Sequence, residues 1–102
     1  SLGISEPFIP EEFALYQNYP NPFNPITTIT YDIPEGTIIN LTIYDVMGRV
    51  VKTLVNEWNE PGRKAVTWNG KDEIGMPSTS GVYIYRINTG GFNEVKKLIL
   101  LK

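Results

Sequence analysis

Apolar and polar positions alternate with a period of two along most of this chain, the spacing that predicts strands half-buried on one face. Over residues 26–33, Ile29, Tyr31 and Ile33 share one face while Thr28, Thr30 and Asp32 share the other. A Pro34-Glu35-Gly36-Thr37 turn leads into a second alternating run, 38–45, with Ile39, Leu41 and Ile43 inward. Val46-Met47-Gly48 is a tight connection in which Gly48 is expected to take a positive φ. Residues 49–55 read as a strand whose two faces are less distinct. Residues 56–62, NEWNEPG, read as a loop ending in the turn signal Pro61-Gly62.

The stretch 64–88, KAVTWNGKDEIGMPSTSGVYIYRIN, is the centre of the pattern. Val66 and Trp68 alternate with Thr67, which places the Trp on a buried face. Residues 82–87 are dense in β-branched and aromatic side chains, as suits a central strand. The loop between them carries Asn69-Gly70, Gly75, Pro77 and Gly81, all turn or ladder-breaking residues. Gly90-Gly91 then makes a hairpin turn, and 92–102, FNEVKKLILLK, closes the chain as a strand.

Before residue 26 the pattern changes. Residues 1–12, with Pro7, Pro10 and three glutamates, read as a linker from a preceding domain, although Phe8 and Ile9 are free to dock on the sandwich. A short strand is expected at 13–17. It ends in Asn18-Tyr19-Pro20-Asn21-Pro22-Phe23-Asn24-Pro25, where the prolines forbid helix and central strand. Such a rigid segment suits a crossing between sheets, with Tyr19 and Phe23 packed beneath it and the Asn side chains bonding exposed backbone. About seven strands spaced by ten residues or so, with no helix, predict an all-β fold. We expect an Ig-like two-sheet antiparallel β-sandwich over 13–102.

Composition narrows the chemistry. The 102 residues allow one domain with a modest core, and a formal net charge of −2 gives no electrostatic case for nucleic acid or an anionic membrane. Cysteine and histidine are both absent, which removes disulfides, thiolate nucleophiles and the usual general base. Ser78 and Ser80 therefore lack a base to activate them, and catalysis is not expected. No run approaches the roughly 20 apolar residues of a membrane-spanning helix.

Two sets of residues resemble known families. WNGKDEIG followed by SGVYIYRI, together with IYDVMGRVVKTLV, is similar to two groups of Ig-like domains. One is the type A C-terminal sorting domain of the type IX secretion system; the other is the Ig-like domain of flagellar hook-capping proteins. The opening LYQNYPNPFNPITTITYDI is more specific and resembles the start of the type A sorting domain. That resemblance, over 13–102, implies a non-catalytic domain without a cofactor. It would direct an attached upstream cargo from the periplasm through an outer-membrane translocon to the cell surface. A sortase-like peptidase would then remove it. The PNPFNP corner and the ending directly after the last strand favour this over a flagellar role. An accessory module of a secreted enzyme, structural or weakly carbohydrate-binding, stays open beside both.

Four groups of residues are candidates for function. Lys96, Lys97, Leu98, Ile99, Leu100, Leu101 and Lys102 would be read by the translocon, either as a recognised terminus or simply as an edge blunted by lysines. Asn21, Pro22, Phe23, Asn24 and Pro25 form the sheet-crossing corner. Asn69, Asp72 and Glu73 offer hard oxygen ligands for calcium, though without the spacing of an EF-hand, and turn-capping accounts for them as well. Trp58, placed in a loop, would stack on a sugar ring or lie as a lid over one end of the sandwich.

Overall fold

The computed structural model describes residues 8–102 as seven strands in two antiparallel sheets. Strands β1 (Ala14–Leu15), β2 (Thr27–Ile33) and β5 (Gly62–Trp68) form one sheet in the order β1-β2-β5. The other sheet comprises β3 (Thr37–Tyr44), β4 (Val50–Asn59), β6 (Gly81–Asn88) and β7 (Asn93–Leu100), in the order β4-β3-β6-β7. This is the expected Ig-like sandwich. Its inner faces are supplied by the alternating sets read from the sequence, Ile29, Tyr31 and Ile33 on one sheet and Ile39, Leu41 and Ile43 on the other, joined there by Tyr85 and Ile87 of β6. Gly48 has φ 83, as its turn requires.

Trp68 is 1% exposed and lies between Phe23 and Tyr83, with ring centroids at 5.6 and 5.5 Å. Its indole N–H donates to the Lys71 carbonyl at 2.9 Å, so the one polar atom of the ring is satisfied in the core.

Three expectations are corrected. The 56–62 loop is mostly strand: β4 runs through Asn59, because Asn56 and Trp58 pair with Asn40 and Ile38 on β3, leaving only Glu60 and Pro61 to turn. Trp58 therefore sits on a strand rather than in a loop. The indistinct faces of β4 also have a cause. Its register against β3 slips between Leu41 and Thr42 and again between Ile43 and Tyr44, so two bulged residues break the alternation. Tyr19, expected under the corner, is 81% exposed; Phe23 alone takes that core position.

At the end where the chain enters, residues ahead of β1 do dock. Pro10 is buried, and the Arg63 guanidinium lies 4.8 Å from the Phe8 ring centroid. The same guanidinium bonds both oxygens of Asp32, at 2.8 and 3.0 Å, and the Tyr16 hydroxyl donates to that carboxylate. Asp32, on the polar face of β2, is thus covered by Arg63 and Tyr16 and only 4% exposed.

Candidate recognition surface at the corner and terminal strand

β7 is the outer strand of its sheet, and an outer strand presents a row of unpaired backbone groups. Here the proline corner covers that row. The Phe23 amide donates to the Ile99 carbonyl and the Leu101 amide to the Phe23 carbonyl, each at 3.0 Å. Between them the Asn21 side-chain oxygen accepts the Ile99 amide at 2.9 Å, and Gln17 donates its side-chain amide to the Lys97 carbonyl at 2.7 Å. Prolines can do this only as a partner that borrows side-chain and isolated main-chain groups, since Pro20, Pro22 and Pro25 have no N–H to give. The two stretches singled out separately in the sequence therefore meet as one surface.

A buried network holds the corner in place. Asn18 is 3% exposed; its side-chain amide donates to the Thr27 hydroxyl at 2.9 Å and the Pro20 carbonyl at 3.2 Å. The Asn18 main-chain amide donates to the Tyr85 hydroxyl, which donates in turn to the Tyr16 carbonyl. Tyr85 is fully buried on β6, and burial pushes its hydroxyl up to about 12. In the sequence this Tyr is one more aromatic in a strand pattern. Its bridging role across 67 residues depends on the fold and leaves no local signal.

The seven C-terminal candidates divide by depth. Leu98 and Leu100 are core residues at 0% and 1% exposure, Ile99 is half-buried, and Lys97, Leu101 and Lys102 face solvent. Lys96 is half-buried, its ammonium 3.4 Å from Glu94.

The end of the sandwich that holds the corner is also its apolar end. The β3–β4 turn contributes Val46 and Met47, the β5–β6 loop Ile74 and Met76, and Leu101 follows β7; each is more than half exposed. A cleft of about 620 Å³ lies here, lined by Asp45, Arg49, Val50, Ser80, Val82 and Tyr83. At its rim the Asp45 carboxylate accepts the Arg49 and Met47 amides and the Arg49 guanidinium, which together hold it below the usual carboxylate range. The chain enters at the opposite end, where Ala14 pairs with Asp32.

The oxygens of the acidic loop are directed at backbone. Asp72 accepts the Ile74 and Met76 amides, at 3.1 and 2.9 Å, and Asn69 accepts that of Lys71 at 3.1 Å. Glu73 reaches to β4, accepting the Thr53 amide while its own amide donates to the Val51 carbonyl at 3.1 Å. The loop thus covers part of the other outer strand. Among the described residues no three His, Cys, Asp or Glu come together as metal ligands.

The sequence matches the family described as "Secretion system C-terminal sorting domain" over residues 17–101. Among curated proteins no match was found. Three solved structures share the fold. Dimeric latent PorU from Porphyromonas gingivalis aligns at TM-score 0.70 and 22% identity, over 97% of this chain and 10% of that one. PorZ, described as an essential surface component of the type IX secretion system of the same bacterium, aligns at 0.59 and 22%, over 86% and 11%. FlgD from P. aeruginosa aligns at 0.57 and 21%, over 72% and 58%. This chain therefore spans about a tenth of the first two. A family match over most of its length makes this chain a member of the secretion system C-terminal sorting domains.

Proposed function

We propose that this domain carries an upstream cargo across the outer membrane by presenting its corner and terminal strand to the type IX translocon. It works by binding, without catalysis, after transit of the periplasm, and a sortase-like peptidase then separates it from the cargo at the cell surface. The observation that carries this reading is the joining of Asn21 and Phe23 to Ile99 and Leu101, which makes one continuous surface from the proline corner and the terminal strand. Its position supports the same reading. Exposed Leu101, Met47 and Met76 lie at the end away from the chain entry, so a receptor can engage them without meeting the cargo.

The test is a periplasmic reporter fused ahead of this chain in a bacterium with a type IX system. A Leu101→Asp, Lys102→Glu variant alters exposed residues and spares the core. Reporter retained in the periplasm with the domain still folded supports translocon reading of this terminus. Secretion equal to the parent transfers the recognition elsewhere on the domain.

A further inference from the structure

The outer face of the four-stranded sheet carries a feature that sorting does not require. Asn56, Asn40, Asn88 and Asn93 are register partners in turn, one on each of the four strands. They form an unbroken row of side-chain amides across the face. Strands lie about 4.8 Å apart, so the row presents amide donors at an interval near the length of one sugar residue. The four oxygens are engaged within the domain: that of Asn56 accepts Asn40 at 3.5 Å, that of Asn40 the Thr42 hydroxyl at 2.7 Å, that of Asn88 the Gly90 amide at 3.0 Å and that of Asn93 the Arg86 guanidinium at 2.8 Å. Among the described residues the amide nitrogens of Asn56, Asn88 and Asn93 meet no acceptor, and all three residues are exposed.

Trp58 stands beside this row, paired with Ile38, and both are 61% exposed. The indole is held by backbone. A Cβ built on Gly36 would fall 2.4 Å from its Cζ2, so the ring lies on the β2–β3 turn with no side chain beneath it. A large aromatic that is fixed and still open to solvent supplies a stacking platform at little entropic cost.

The strands put charges of one sign on this face, and the Glu73 carboxylate at the β4 edge is taken up by the Thr53 amide. Arg86 and Lys97, paired outward with Thr42 and Ile84, lie on the side of the amide row away from Trp58, and no Asp or Glu falls in the rows between. Glu35 belongs to the turn at the Trp58 end. The carboxylates of β4 and β7, Glu57 and Glu94, pair with the inward residues Ile39 and Ile87.

We propose that this face binds an acidic polysaccharide. One sugar ring would stack on Trp58, the chain hydroxyls would bond the asparagine row, and a carboxylate or phosphate would meet Arg86 and Lys97. Planar amides beside an aromatic match the alternating hydroxyl and C–H faces of a pyranose, and the cations match an anionic substituent.

The experiment is electrophoresis of the folded chain through gels containing alginate, a polyuronate, or dextran, a neutral glucan. The chain has a net charge of −2, so general attraction to a polyanion does not slow it. Alginate is expected to retard the parent and dextran much less. Trp58→Ala should weaken retardation by about tenfold or more, as loss of one aromatic anchor does. Arg86→Gln should erase the preference for alginate. Thermal melts of both variants confirm that the sandwich persists. Absence of retardation, equal retardation by the two polymers, or retardation unchanged in Trp58→Ala overturns the proposal.

Discussion

The side-chain oxygen of Asn21 accepts the Ile99 amide at 2.9 Å, across 78 residues of sequence. Through that bond a segment rich in proline acts as the partner of an outer strand. Lysines are therefore not the sole cover of the β7 edge: from Lys97 to Leu101 its outer backbone is occupied. The opposite edge is managed by different means, with bulges in β4 and the Glu73 cap.

Asn21→Ala should lower stability by about 0.5–1.5 kcal/mol, since water can replace the lost acceptor at this exposed site. It should also promote association, because part of the strand edge is uncovered. Chemical denaturation reads the first effect and light scattering against concentration the second. An unchanged midpoint would show that the bond contributes nothing beyond what solvent supplies.

Tyr85→Phe should cost about 1–3 kcal/mol, because the Asn18 amide and Tyr16 carbonyl lose their buried partner. The pH dependence has a definite sign. Tyr85 is raised from 10.0 to about 12 in the fold, so the neutral hydroxyl is favoured there. Its contribution is fully present below about pH 10 and is lost as pH rises through about 12. The stability difference between parent and variant should narrow across that window. A difference that stays flat to pH 12 would place Tyr85 in contact with solvent.

Asp32 behaves oppositely. Its bonds from Arg63 and Tyr16 hold the carboxyl below its ordinary value, so it stabilises the fold above about pH 3.9 and ceases to as pH falls through its folded value. Asp32→Asn should therefore be less stable than the parent at neutral pH, and the gap should close on acidification. Urea midpoints at several pH values between 2 and 7 check this, and a gap independent of pH would assign the loss to packing alone.

How far the sequence could be read depended on whether the determinant was local. Alternation of Ile29, Tyr31 and Ile33, or of Ile39, Leu41 and Ile43, is a local pattern, and the sandwich follows from it. The extent of β4 was not legible, because two bulges scramble its alternation and Pro61-Gly62 draws attention to a turn that occupies only two residues. Asp32 and Arg63 read as ordinary polar positions until the β2–β5 register sets them opposite each other. The asparagine row was invisible for the same reason. Its members lie on four strands, and only cross-strand pairing aligns them.

Removal of residues 96–102 gives the last expectation. An outer strand pairs on one side only, so its loss breaks fewer ladder bonds than loss of a central strand. In the structure Leu98 and Leu100 are 0% and 1% exposed, and Gly70 and Phe23 pack or pair against the same segment. Loss of each leucine costs about 2–5 kcal/mol, against a total stability of about 5–15 kcal/mol for a domain of this kind. The anchorage of the corner is lost as well. Truncation should therefore unfold the chain, seen as loss of the cooperative thermal transition and rapid proteolysis. Lys97→Glu combined with Lys102→Glu should melt within about 0.5 kcal/mol of the parent, because both side chains are in water. A truncated chain that still melts cooperatively near the parent would show that β7 is appended to the sandwich rather than built into it.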